Sequence, residues 1–210
     1  MPLQPRKSIT ALTACAHGGP VYDELKSLGL EPDNILDFSV STNPFMPPPG
    51  LKEMMKDFLI GRYPDSHSSV LRQRLAERNM ISAENILVGS GTTEIIRLIA
   101  LTYFRQGDPA LILEPTYGEY EVACRIAGAR PLKYRASEQD GFVPDIQQFI
   151  EIIRQRRPRA VFICNPNNPT GKYLARADIE PVVSALGDTL LVLDEAYVAF
   201  VRKSWHSLDF

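Results

Sequence analysis

"AVFICNPNNPTG", Ala160 to Gly171, is the stretch on which the reading of the chain turns. Its first five residues are an unbroken apolar run, as in a β-strand covered on both faces. The eight from Cys164 hold three asparagines, two prolines and a glycine. Proline excludes helix and restricts the residue before it, so the chain leaves the strand along a fixed path. Gly171 permits a sharp turn before the next element. A plain loop has no need of three asparagines, so something must be held at the end of this strand.

Around it the chain has a rhythm. "NILVG", "ALIL", "RPLKY", "RAVFIC" and "TLLVLDEA" read as strands. Between them lie helices. "TTEIIRLIALTYF" has inward positions expected at 95, 98, 99 and 102–103, and "YGEYEVACRIAG" is ended by Gly128. "VPDIQQFIEIIRQR" turns Ile146, Phe149, Ile150 and Ile153 inward, and "RADIEPVVSAL" is ended by Gly187. Such alternation predicts an α/β fold, a three-layer α/β/α arrangement with a mostly parallel sheet and right-handed crossovers. "VFI" and "LLVL" are expected to be covered on both faces. Upstream, "ILDF" reads as a short strand, and the breaker cluster "NPFMPPPG" (Asn43 to Gly50) marks a boundary. Helices are expected over Leu51 to Ile60 and from Ser69. We expect an N-terminal arm with part of a small domain over 1–45, and part of a large domain over 46–210.

Composition narrows the function. The chain has 210 residues, 44% hydrophobic and 23% charged, with net charge -2. No basic surface points to nucleic acid, and no run of about 20 apolar residues points to a membrane. The opening "MPLQPRKSITALTACAHGG" is expected to be a mobile arm, a signal peptide being the weaker alternative. Cys15, Cys124 and Cys164 are odd in number and widely spaced, which suits a reducing cytoplasm better than a disulfide framework or a zinc site.

In parallel sheets ligands sit beyond the carboxyl ends of the strands. Four such ends carry chemistry. "GSGTTE" (Gly89 to Glu94) opens a helix, where free N–H groups and the positive dipole end favour an anion and two Thr hydroxyls add donors. A tight turn with a Thr cap is the plainer reading of that motif alone. "LILE" leads into Pro115-Thr116-Tyr117. The third end is the asparagine-rich loop. "LLVL" leads into Asp194-Glu195-Ala196-Tyr197. Asp194 ends an apolar strand and needs donors or a cation, whereas Glu195 points to the opposite face. Asn168 and Asp194 are one strand-helix-strand unit apart, so they can face the same ligand.

Gly89-x-Gly91 also approaches a dinucleotide fingerprint, with Glu114 near the place of a ribose-binding acid. Glu94 stands where the third glycine is needed, and this reading leaves "DEAY" without a purpose. A nucleoside-triphosphate loop is excluded, because no Gly-Lys-[Ser/Thr] follows. A ligand matching all four ends has a phosphate for the glycine turn and a flat ring for Tyr117 to stack on. It has a ring oxygen for Asn168 and Tyr197, and a protonated ring nitrogen for Asp194. Pyridoxal 5'-phosphate has each of these groups.

"RYPD" (Arg62 to Asp65), "GSGTTE", "PTYGEYE", "CNPNNPTG" and "DEAYVAF" occur in an order that resembles the fold-type I pyridoxal-phosphate enzymes of aminotransferase class I/II. Within that superfamily the chain is similar to the histidinol-phosphate aminotransferase and threonine-phosphate decarboxylase branch. The resemblance implies that Gly91, Thr92 and Thr93 hold the cofactor phosphate and Tyr117 stacks on the ring. It implies that Asn168 and Tyr197 bind the ring oxygen, and Asp194 the ring nitrogen. Tyr63 would reach the phosphate of a neighbouring subunit's cofactor, which implies a homodimer. "HGGPVYDE" and "LDFSVSTNPFMPPPG" resemble the opening of the decarboxylases, with His17 and Asn43 against the phosphate or carboxylate of a phosphorylated amino acid, and Asn168 beside them.

The first expectation is therefore L-threonine-O-3-phosphate decarboxylation, as in cobalamin synthesis. Transamination of histidinol phosphate or an aromatic amino acid, as by another class I/II aminotransferase, is the alternative. An inactive binding module is the third reading, because the Schiff-base lysine of such enzymes has no match here. Lys203, in "VRKSWHS", is too close to Asp194 and is not assigned. The chain is expected to be the N-terminal part of a longer enzyme, and its sheet to leave an uncovered edge.

Overall fold

The computed structural model describes residues 3–15, 18–41, 43, 45, 47–58, 61–202 and 204–209. They fall into two compact units. One comprises residues 1–15 with 89–210; the other is residues 16–88. The boundary expected after residue 45 lies within the second.

In the first unit, α1 (Lys7–Thr10) is followed, after the second unit's residues, by the sheet strands and the helices between them. The second unit holds α2 (Tyr22–Ser27), α3 (Leu51–Lys56) and α4 (Ser69–Asn79). Neither "ILDF" nor "NILVG" is a strand. The first follows a 3-10 turn at Pro32–Asn34, and Asn85 ends another at Ala83–Asn85. Ile35 and Ile86, which follow these turns, are extended, but neither segment has a ladder partner among the described residues. An apolar run becomes a strand only when a neighbour takes its hydrogen bonds.

The first unit alternates as the sequence predicts. Its order is α5 (Thr92–Tyr103), β1 (Pro109–Glu114), α6 (Glu119–Ala127), β2 (Arg130–Arg135), α7 (Ile146–Arg156), β3 (Ala160–Cys164), α8 (Arg176–Ala185) and β4 (Leu190–Asp194). The four strands are parallel, in the order β2-β1-β3-β4. Their side chains divide by the two-residue period. Ala110, Ile112, Ala160, Phe162 and Cys164 pack under α5 and α6, with Ile96, Ala100, Tyr120 and Cys124. Leu111, Val161 and Ile163 pack under α7 and α8, with Phe149, Ile150, Ile153, Ile179 and Val182. This is the expected three-layer α/β/α arrangement.

Local signals fix the helix ends. The Asp145 carboxylate accepts from the N–H of Gln148 at 3.0 Å and starts α7. Gly128, at φ 85°, ends α6, and the next N–H, of Ala129, returns to the Cys124 carbonyl at 2.8 Å. The inward face of α5 differs from expectation: Ile96, Ala100 and Phe104 are buried, while Leu98, Leu101 and Tyr103 are exposed. β4 differs too. All five of its residues are half-buried, because among the described residues it pairs only with β3 and forms the sheet's edge. The N-terminal segment, expected to be mobile, is tied down: the Arg6 guanidinium donates to the Ile126 carbonyl at 2.8 Å.

Candidate functional site

The register places Cys164 beside Asp194 at the carboxyl ends of β3 and β4. The loop after β3 is then built by its asparagines. The buried Asn165 carboxamide accepts from the Leu174 N–H at 2.8 Å and donates to the Leu174 carbonyl at 2.9 Å. Its own N–H donates to the Asp194 carbonyl at 2.8 Å. Asn167 donates to the Pro115 carbonyl at 2.7 Å and accepts from the Thr116 hydroxyl at 2.8 Å. Two asparagines thus lace three segments of one sheet end together. Asn168, left half-buried, lines a cavity.

That cavity, of ≈ 270 Å³, is bounded by Ser90, Gly91, Thr92, Thr93, Tyr117, Cys164, Asn168, Asp194, Ala196 and Tyr197. Seven sequence-predicted residues therefore meet at one place: Gly91, Thr92, Thr93, Tyr117, Asn168, Asp194 and Tyr197. Gly91 has φ 83°, which disfavours a side chain, and precedes the first turn of α5. The Glu94 carboxylate accepts from the Ser90 N–H, so the residue that breaks the dinucleotide fingerprint instead fastens the turn. The Thr93 and Tyr117 hydroxyls are hydrogen-bonded at 2.9 Å.

Asp194 is held on both oxygens. Oδ1 accepts from the Ala196 N–H at 3.0 Å, and Oδ2 from the Tyr120 hydroxyl at 2.8 Å. Burial pushes the Tyr120 hydroxyl far above its ordinary pKa, so it remains a donor. Burial likewise raises the Cys164 thiol, which donates to the Pro166 carbonyl at 3.2 Å. Glu195 faces the other way, accepting from the Ser207 N–H at 2.9 Å and hydroxyl at 2.7 Å.

Two of the remaining expected site residues belong to the second unit. Tyr63 is fully exposed in the second unit. Asn43, also there, accepts the Phe45 N–H at 2.9 Å in a local turn. His17 and Lys203 lie outside the described residues. The sequence reading missed Tyr120, which faces the core from α6. The signal was a hydroxyl three residues after Tyr117 on an otherwise apolar helix face.

The profile of aminotransferases class I and II matches residues 33–209, and the chain belongs to that family. A curated relative, the histidinol-phosphate aminotransferase of Ruminiclostridium cellulolyticum, is 33% identical over 170 residues, covering 79% of this chain and 48% of that protein. The chain thus spans about half the length of the curated relatives it matches. The crystal structure of L-threonine-O-3-phosphate decarboxylase from Porphyromonas gingivalis aligns at 32% identity and TM-score 0.60, covering 74% of this chain and 46% of that one. Histidinol-phosphate aminotransferase from Sinorhizobium meliloti, solved with pyridoxal-5'-phosphate, shares the fold at TM-score 0.78 and 20% identity, over 96% of this chain and 53% of that one.

Proposed function

We propose that the full-length protein is a pyridoxal-phosphate-dependent aminotransferase whose substrate is histidinol phosphate or a closely similar phosphorylated amine. The observation that carries the cofactor reading is the convergence on one cavity of a helix N-terminus, an aromatic ring, a carboxamide and a carboxylate with both oxygens fixed. These groups fit a ligand with a phosphate, a flat ring, a ring oxygen and a protonated ring nitrogen. Gly91, Thr92 and Thr93 would hold the phosphate by backbone and hydroxyl donors. Tyr117 would stack on the ring, and Asn168 and Tyr197 would donate to its oxygen. Asp194 would keep the ring nitrogen protonated. The cofactor, when bound, supplies an electron-accepting ring for the substrate bond that breaks.

Transamination now stands ahead of decarboxylation, because curated relatives similar over most of the chain are histidinol-phosphate aminotransferases. Decarboxylation of threonine phosphate is the second reading. It is favoured by the segments around His17 and Asn43 and by the similarity to the P. gingivalis enzyme. Tyr63, in a homodimer, would contribute to the neighbouring subunit's phosphate site. The discriminating experiment supplies the purified full-length protein with each substrate. Transfer of the amino group from histidinol phosphate to 2-oxoglutarate supports the first reading. Release of carbon dioxide from threonine phosphate without an acceptor supports the second. Cofactor binding with neither activity leaves the binding module.

A further inference from the structure

Tyr120 is unusual among the residues around Asp194. It is fully buried, belongs to the core cluster beneath α5 and α6, and does not line the cavity. Its ring stacks on Phe162, with centroids 5.4 Å apart and planes at 23°, and meets Tyr117 edge-on at 5.8 Å. Packing would be served as well by phenylalanine, and a buried hydroxyl is costly unless bonded. Here it is bonded, to Asp194 Oδ2 at 2.8 Å. A carboxylate oxygen has about two acceptor sites. With Oδ1 taken up by the Ala196 N–H and Oδ2 by Tyr120, the plane of the carboxylate is fixed and one site on each oxygen remains for a ligand.

We propose that Tyr120 is a positioning residue: through its hydroxyl it holds the Asp194 carboxylate in the one orientation that serves a cationic ring N–H in the cavity. The inference rests on the cofactor reading above and deepens it. Tyr120 acts only through Asp194, and the same ring supports the edge of Tyr117, so one rigid side chain sets two groups of the cavity.

The test uses the full-length protein with pyridoxal 5'-phosphate labelled with 15N in its ring. Tyr120→Phe keeps the ring stack and removes the donor. The expected result is near-normal thermal unfolding, cofactor affinity reduced about tenfold as for loss of a hydrogen bond to a charged group, and a ring-nitrogen resonance moved toward the unprotonated position. In the Asp194→Asn background the same substitution is expected to change affinity less than about twofold, because the partner charge is already gone. Phe162→Leu, which loosens the same core without touching the hydrogen bond, is expected to lower the melting temperature and leave the resonance in place. Unchanged affinity and resonance in Tyr120→Phe, with Asp194→Asn impaired, would overturn the inference and spare the cofactor reading. Unchanged affinity and resonance in Asp194→Asn would overturn the reading itself. Should Tyr120→Phe not fold, Tyr120→His, which retains a ring and a donor, must preserve the protonated resonance, and its failure to do so sinks the proposal.

Discussion

The sheet unit and the unit formed by residues 16–88 are built from similar local material and reach different ends. Both contain apolar runs and helices. In the sheet unit, strands and helices bury one another, and Phe162, Tyr120, Phe149 and Ile163 are at most 1% exposed. In residues 16–88, Ala76 is the one apolar side chain buried among the described residues, at 6%, while Phe38 is 88% exposed. Local propensity supplies elements, but burial comes from an opposing layer. The cavity lies wholly within the unit that has the layers, on backbone fixed by sheet register.

Several substitutions press on this contrast. The largest effect is expected at the cavity. Asp194→Ala in the full-length protein should lower transamination by several orders of magnitude, because the carboxylate that would keep the ring nitrogen protonated is lost. Steady-state rates with saturating cofactor read this, and near-normal turnover would remove Asp194 from the proposed role. Next comes the core. Phe162→Ala should cost about 3–5 kcal/mol in denaturant unfolding, since the ring is fully buried between Phe104 and Tyr120. A cost below about 1 kcal/mol would mean that the packing of α5 and α6 on the sheet does not hold this unit together.

How much of this was readable beforehand follows the same divide. The four strands were legible because each apolar run found a parallel neighbour. "NILVG" and "ILDF" have the same pattern without one. The inward face of α5 was misread because Ile95, Ile96, Leu98, Ile99, Ala100 and Leu101 surround the helix, so periodicity does not single out a stripe. Sheet packing then selects Ile96, Ala100 and Phe104. Asn168 and Asp194 were legible because strand ends carry the chemistry of parallel sheets. Tyr120 was not, since its role depends on which way α6 faces. Nor were the separate tasks of Asn165 and Asn167, which need the path of the loop to be known.

The loop offers a smaller test. Asn165→Ala removes both bonds to the Leu174 backbone at a buried position, and should cost about 2 kcal/mol. Unfolding titrations measure it, and an unchanged midpoint would mean that water or another group replaces the carboxamide.

Alkaline pH probes the core beneath α6. Burial raises the Cys124 thiol from 9.0 to about 12, so the folded chain keeps its proton where the unfolded chain loses it. Its contribution is full below pH 9.0 and is lost progressively as pH rises toward about 12. At about pH 10 the loss should be roughly 1.4 kcal/mol. Melting temperature against pH should decline over this range, and Cys124→Ala should flatten the decline by that amount. Identical slopes would show the thiol titrating alike in both states.

The smallest effect should fall in residues 16–88. Phe38→Ser removes a large ring that touches little, so for the 210-residue chain the expected change in unfolding free energy is within about 0.5 kcal/mol. The comparison sharpens if the same substitution is made in the full-length protein. A cost there of about 2 kcal/mol or more, against almost none in the 210-residue chain, would mean that Phe38 is covered in the longer protein, by further chain or by a partner subunit. An equal, small cost in both would mean that this ring is solvent-facing by design, and that the contrast between the two units belongs to the fold itself.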